Sequence, residues 1–294
     1  MTDREAHTVS KRKREIKLMM RSLFSAVAGL KAYQTGMDVI GNNIANVNTY
    51  GFKSSNTLYR DVYYQTIAGS SNAAGNLGGT NPSQIGYGAV AASVSVNNAR
   101  SGMATTGADM DCYINGEGYF VVKDGSDYLY TRVGRMSFDA AGNLVDGNKR
   151  IVCGISGSAD AGTGAITLAP INIGTTDTYN NITIGADGKI SGEKADKSIV
   201  TLGTIAIANV PNPSGLTQQG GSYYKKVSNT GDIKCYAPGV SGTGTLVTGS
   251  LESSNVDLAN EFSQMIMTER GFQANTKIIT VSDEMLENLV NLKR

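Results

Sequence analysis

The chain has no tryptophan, a single histidine, three cysteines and five prolines among its 294 residues. Each shortage excludes something. The lone histidine, His7, sits in a charged amino-terminal stretch, so neither a histidine-dependent triad nor a histidine-rich metal site is available. Cys112, Cys153 and Cys235 are odd in number and far apart, which gives no disulfide framework and no CxxC zinc pair. No run of about 18 uncharged apolar residues exists, so no helix is expected to cross a membrane. Charge is scarce as well, at 17% of residues against ~25% in ordinary soluble proteins. The 26 basic and 25 acidic side chains leave a net charge of +1, which implies no general affinity for nucleic acid or anionic membrane.

What is plentiful is glycine, 36 residues, alongside serine, threonine and asparagine, with 40% of the chain hydrophobic. That is too apolar for wholesale disorder, and the length suits about two domains. The composition fits a β-rich surface or assembly protein better than an enzyme. Gly185-Ala-Asp-Gly188-Lys189 has the wrong spacing for a phosphate loop, and Ile190 replaces the required hydroxyl. Gly239-Val-Ser-Gly242-Thr-Gly244 fails the dinucleotide fingerprint, and Asp139-Ala-Ala-Gly142-Asn143 fails the calcium-loop spacing. Asp109 and Asp111 would be the paired carboxylates of a glycan-processing enzyme, but alternating acids at a strand start more often cap a turn. No catalytic residue, cofactor or metal is expected.

The ends of the chain carry helical periodicity. Residues 1–19 hold six basic and three acidic side chains among the first eighteen and are expected to be a disordered basic tail or an upstream start. From there Leu23, Val27, Leu30, Gln34, Met37, Gly41 and Ile44 follow alternating steps of four and three, a coiled-coil-like seam. Arg21 and the apolar run ending in Ala26-Val27-Ala28 mimic a secretory signal, yet the seam continues through the apparent cleavage site. The helix is expected to stop near Asn46, where Asn-Val-Asn-Thr-Tyr-Gly supplies turn residues. At the other end, Ser254 or Asn255 is the expected cap and Asp257 suits the helix dipole. Leu258, Phe262, Met265, Glu269, Phe272, Thr276, Ile279, Asp283, Leu286 and Val290 repeat the four-three spacing.

Between the helices, residues 48–88 read as an extended connector rich in Gly, Ser and Asn, and residues 89–254 as a β-rich domain of short strands. Cys112-Tyr-Ile114, Asn115-Gly116 and Tyr119-Phe-Val-Val122 suggest a hairpin. The expected fold class is α+β: an all-β centre flanked by long amphipathic helices, with 20–47 and 255–294 forming one terminal helical domain. Isolated helices of this length are marginal in water, so both seams need partners. Packing of the two ends on each other within one molecule is one solution. The polar seam positions Gln34, Glu269, Thr276 and Asp283 favour the other, in which the seams are buried by neighbouring subunits.

Three sets of residues resemble a known family. Met20-Arg-Ser-Leu-Phe-Ser-Ala-Val-Ala-Gly-Leu30, Gly41-Asn-Asn-Ile-Ala-Asn-Val-Asn-Thr49 and Gly51-Phe-Lys53 are similar to the amino-terminal signature of bacterial flagellar rod and hook proteins. Asp111-Cys-Tyr-Ile-Asn-Gly-Glu-Gly-Tyr-Phe-Val-Val122 and Tyr130-Thr-Arg-Val-Gly134 resemble its central β motifs. Gly249-Ser-Leu-Glu-Ser-Ser-Asn-Val-Asp257 and Met265-Ile-Met-Thr-Glu-Arg-Gly-Phe-Gln-Ala-Asn275 resemble its carboxyl-terminal signature. Residues 151–245 carry little signature of their own.

The resemblance implies a self-assembling, non-enzymatic subunit of a hollow tube. The terminal helices would form a coiled-coil-like inner wall and the β domain the outer wall. Inner-wall packing would fall to Leu23, Val27, Leu30, Met37, Ile44, Leu258, Phe262, Met265, Phe272, Ile279 and Leu286, and the motif turns to Asn42, Asn43, Asn46, Gly51, Phe52 and Asn255. The implied place is the hook, the flexible joint that passes motor torque to the filament. The alternative is the distal rod of the basal body, and a secreted β-rich adhesin explains the middle but not the ends. The implied partners are further copies of the chain, the neighbouring rod, hook-cap and hook–filament junction proteins, and the flagellar type III export apparatus. Export through that apparatus uses no cleaved signal peptide.

Overall fold

A computed structural model describes residues 3–73, 78–156, 168–174 and 179–291. The chain divides into two compact units. One combines Met1–Ala45, Ser55–Val96 and Asp257–Arg294; the other combines Asn46–Ser54 and Asn97–Val256.

The first unit is built on two long helices, α1 (Asp3–Ala45) and α2 (Leu258–Asn291). At 43 and 34 residues they run ~65 Å and ~50 Å. The first helix begins at Asp3, within the stretch expected to be a disordered basic tail or an upstream start. No Gly or Pro occurs before Gly29, and the straight-chain residues Arg, Lys, Glu, Leu and Met that fill this stretch lose little rotamer freedom in a helix. The helix stops where expected, at Ala45, and Thr49 turns back to donate its amide to the Asn46 carbonyl at 3.0 Å. The start of α2 differs in detail. Asp257, rather than Ser254 or Asn255, is the cap: its Oδ1 accepts the amides of Ala259 and Asn260 at 3.0 and 3.4 Å.

Residues 48–88 are more ordered than a connector. Ser55–Asp61 pairs antiparallel with Ala89–Val96, and Tyr64–Ala68 pairs with Ser83–Gly86, making a ribbon that belongs to the helical unit. The strand Ala89–Val96 thus groups with the helices rather than with the β-rich region that follows. Alternation in Val90-Ala-Ala-Ser-Val-Ser-Val96 identifies a strand but says nothing about its partner.

Among its described residues the second unit is β, apart from single 3-10 turns at Pro213–Gly215 and Ser228–Thr230. Its main sheet runs in the order Tyr179–Ile184, Lys189–Lys194, Ile199–Ile205, Ile151–Ser156, Tyr119–Asp124, Asp127–Thr131, Tyr223–Lys225, Thr217–Gln218, every pair antiparallel. Tyr119–Val122 is buried on both faces. Phe120 and Val122 enter one apolar cluster with Ile114, Leu129, Leu144, Ile171, Ile190, Ile205 and Ile207, while Tyr119 and Val121 enter a second with Tyr130, Ala206, Ala208 and Tyr224. A run of four buried apolar residues is what a strand covered on both sides requires.

The expected hairpin at Asn115-Gly116 is not formed. Cys112–Asn115 pairs with Thr245–Thr248, and Tyr119–Asp124 pairs with Asp127–Thr131 across the turn at Gly125. Gly116 serves another purpose: a Cβ there would lie 2.3 Å from the Gly244 Cα, so the glycine permits two backbones to touch.

Candidate functional site

The two helices pack antiparallel within the first unit. A Cβ on Gly29 would meet the Asn275 side chain at 3.0 Å, one on Gly36 would reach Thr268 at 3.7 Å, and Tyr33 lies across Gly271. Nearer the ends, Asn43 Nδ2 donates to Glu261 Oε1 at 3.1 Å. The seam on α1 is therefore Ala26, Gly29, Tyr33, Gly36, Ile40 and Asn43, with Ala26, Gly36, Ile40 and Asn43 buried. On α2 it runs through Glu261, Thr268, Gly271, Asn275 and Ser282, of which Glu261, Thr268 and Ser282 are buried. Small residues let the backbones approach, and polar side chains fill what is left.

Both observed seams sit one residue before the apolar seams legible in the sequence. Val27, Leu30, Met37 and Ile44 each follow a packed residue of α1, and Phe262 and Phe272 each follow a packed residue of α2. One residue is about 100° around a helix. The apolar stripes are thereby turned toward the flank of the pair. Leu23, Val27, Leu30, Met37 and Ile44 are half-buried, as are Met265, Phe272, Ile279 and Leu286, whereas Leu258 and Phe262 are exposed, Phe262 by 49%.

Sequence periodicity missed further members of this surface. Phe24 is 60% exposed and Met267 65%, and Ile266, Ile278, Val281 and Met285 are exposed as well. The signal was present as apolar residues beyond a single stripe, which marks a helix needing cover on more than one side.

The motif turns divide into two hydrogen-bonded clusters. In the helical unit, Asn43 holds the start of the ribbon: it donates to the Ser55 carbonyl and accepts the Ser55 amide, both at 2.9 Å. Asn42 is exposed; Asn46, which belongs to the β unit, accepts the Thr49 hydroxyl at 3.2 Å. In the β unit, Gly51 takes φ +66° and donates its amide to the Glu252 carbonyl at 2.8 Å, a backbone geometry that glycine adopts without strain. Asn255 accepts the Ser54 amide at 2.7 Å and donates to the carbonyls of Asn97 and Ala99, and its own amide reaches the Phe52 carbonyl.

Beneath these turns lies a charge cluster that the sequence did not reveal. Lys53 Nζ donates to Glu252 Oε1 at 2.7 Å and to the Ala99 carbonyl at 2.8 Å. Arg132 stands 3.5 Å from Glu252 Oε2, donates to the Gly116 carbonyl and covers the Tyr119 ring at 5.1 Å. All three charged side chains are at most 2% exposed. Burial lowers the Lys53 pKa, and the Glu252 carboxylate opposes that shift. The cluster unites Gly51-Phe-Lys53 with Gly249-Ser-Leu-Glu252, motifs about 200 residues apart in the chain.

Asp111 accepts the Thr106 hydroxyl and so behaves as a turn residue. Among the described residues no group of three or more His, Cys, Asp or Glu side chains is placed to hold a metal, and no helix is long and apolar enough to cross a membrane. The three thiols are buried and free, and burial pushes Cys112 to about 12 and Cys153 and Cys235 to about 11.

Comparison with known proteins agrees with the motifs. Residues 23–53 match the flagella basal body rod protein family, residues 113–192 the D1 domain of the flagellar hook protein FlgE/F/G family, and residues 247–292 the carboxyl-terminal domain of flagellar basal body rod FlgEFG proteins. The chain is 43% identical over 277 residues to the flagellar basal-body rod protein FlgG of Bacillus subtilis (strain 168), covering 94% of this chain and 100% of that one. It is 36% identical over 281 residues to FlgG of Buchnera aphidicola subsp. Acyrthosiphon pisum, covering 93% and 100%. It is 26% identical to the flagellar hook protein FlgE of Borreliella burgdorferi, covering 94% and 100% in an alignment of 441 positions. The chain belongs to the flagellar hook and rod family of structural proteins, which are not enzymes.

Proposed function

We propose that this chain is an axial subunit of the bacterial flagellum that polymerises through the apolar flanks of α1 and α2, and that its place is the distal rod. The observation that carries polymerisation is the one-residue offset between the packed seams and the apolar ones. A two-helix protein meant to stand alone would turn Leu30, Met37, Phe262 and Phe272 inward. Here glycine, alanine, asparagine and threonine hold the pair, and the larger apolar side chains are left for neighbours. Repeated between identical copies, such faces make head-to-tail contacts that grow a helical polymer rather than a closed dimer.

The rod reading is supported by the relatives. The rod proteins align with this chain over 277 and 281 positions, near its own length, whereas the hook relative needs 441. The hook is the second reading, favoured by the fact that hook proteins also match 94% of the chain. In either place the partners are further copies and the adjoining axial proteins, export is through the flagellar type III apparatus without a cleaved signal, and the helices line the inner wall. Deleting the gene and imaging basal bodies separates the two. Truncated rods are expected; complete rods lacking hooks would transfer the protein to the hook.

A further inference from the structure

Glu261 is out of place in the helix seam. It is 5% exposed, and only one of its two carboxyl oxygens is satisfied. Oε1 accepts from Asn43 Nδ2 at 3.1 Å, while Oε2 is buried with no hydrogen-bond partner among the described residues. Asn43 cannot turn to serve it, because that amide is pinned on both sides by the Ser55 backbone.

The surroundings offer little to an anion. From α1 the carboxyl faces the neutral amide of Asn43, and from the ribbon the backbone of Ser55 lies against that same amide. The charge that bears on it is another carboxylate, Asp257, on the turn that begins its own helix. The free amides at that helix end would favour an anion, but Asp257 already takes those of Ala259 and Asn260. A buried acid with one unpartnered oxygen and a like charge nearby is most stable as the neutral carboxyl, whose O–H supplies a donor of its own.

We propose that Glu261 is a proton-linked latch: α2 closes on α1 with Glu261 protonated, and ionisation of that carboxyl loosens the pair. Apart from Tyr33 and Ile40, the remainder of the seam is glycine, alanine and small polar side chains, so limited apolar burial holds the helices shut when the latch opens.

The direction of the effect follows from burial, which raises the Glu261 pKa above the ordinary 4.5, with Asp257 adding to the rise and Asn43 opposing it. A group whose folded pKa is raised contributes its stability below the unfolded value, and that contribution is lost as pH rises through the folded one. The helix pair therefore closes more tightly in acid and loosens as pH climbs from 4.5.

Amide hydrogen exchange on the full-length subunit, corrected for intrinsic rates and run from about pH 4.5 to about pH 8, tests this. In the wild type, protection of residues 258–275 and 30–45 is expected to fall severalfold with rising pH, while amides of the β unit stay constant. Glu261→Gln, which keeps the Asn43 contact and cannot ionise, is expected to hold the acid-side protection throughout. Asp257→Asn keeps a good cap and removes the facing charge, so it is expected to retain the transition at a lower pH. Flat wild-type protection, a transition surviving in Glu261→Gln, or a parallel fall in the β unit would each overturn the latch. Should Glu261→Gln fail to dock its helices, the direction of the Asp257→Asn shift still decides.

Discussion

The β unit and the helical unit are stabilised by opposite choices of residue. In the β unit the largest side chains are inside: Phe120, Ile114, Leu129, Ile190 and Ile207 are at most 1% exposed, and even Lys53, Arg132 and Glu252 are paired out of water. In the helical unit the inside is mostly glycine, alanine and polar side chains together with Ile40, and Phe24, Phe262, Ile266, Met267, Ile278 and Met285 face out. A core that keeps its apolar residues to itself is complete alone. One that presents them is complete only in company.

The largest test of that contrast is Glu252→Ala. Removing the carboxylate leaves Lys53 buried without its counter-charge and Arg132 with only the exposed Glu117 at 3.8 Å, and stripping one partner from a buried pair costs about 3–5 kcal/mol. Chemical denaturation of the purified subunit is expected to show the β unit unfolding at much lower denaturant. An unchanged midpoint would mean that the cluster is dispensable and the contrast overstated.

An intermediate effect is expected in alkali. Burial pushes the hydroxyls of Tyr130 and Tyr223 from 10.0 to about 12, with the Asp146 carboxylate adding to the rise at Tyr223. Both are neutral in the folded state, so their contribution is present below pH 10 and is lost as pH rises toward 12. Phenolate absorbance and loss of β structure are expected to rise together over that window. Tyrosines that titrate freely near pH 10 while the sheet persists would show that the β unit is looser than described.

The smallest effect on the monomer is expected at Phe262. Half exposed, it stands on the flank of α2, and Phe262→Asp should change stability by no more than about 0.5 kcal/mol, as surface substitutions usually do. Phe272→Asp, at a half-buried site, should cost somewhat more. Both are expected to abolish polymerisation, scored by sedimentation and electron microscopy, because every copy in a polymer repeats the unpaired carboxylate. Normal polymers from Phe262→Asp would remove this face from the subunit contacts.

Much of the fold was legible because helices and strands announce themselves by period. The end of α1 at Ala45 and the switch back to helix after Asp257 both follow from spacing and turn residues. Partners were less legible. Periodicity identifies a face that must be covered but not what covers it, so the seam of Leu30 and Phe272 was visible while its neutral neighbour at Gly29 and Gly271 was not. Asn115-Gly116 looked like a hairpin turn because a short apolar run carries no record of its pairing. Lys53 and Glu252, 199 positions apart, had no local mark at all.

Asn43 and Glu261 touch across 218 positions of chain and Lys53 and Glu252 of the β unit across 199, whereas neighbouring strands of that unit pair over spans as short as Asp124 with Asp127 and Val122 with Leu129. Loop-closure entropy makes the distant contact the slower one to form. The two helices thus cannot meet before the segment between them has been made, because α1 opens the described chain and α2 ends it. Until then α1 has a beginning but no companion. Every newly made chain therefore passes through a period in which its first helix is open to other associations, and that interval is set by the length of the insertion rather than by the strength of the seam.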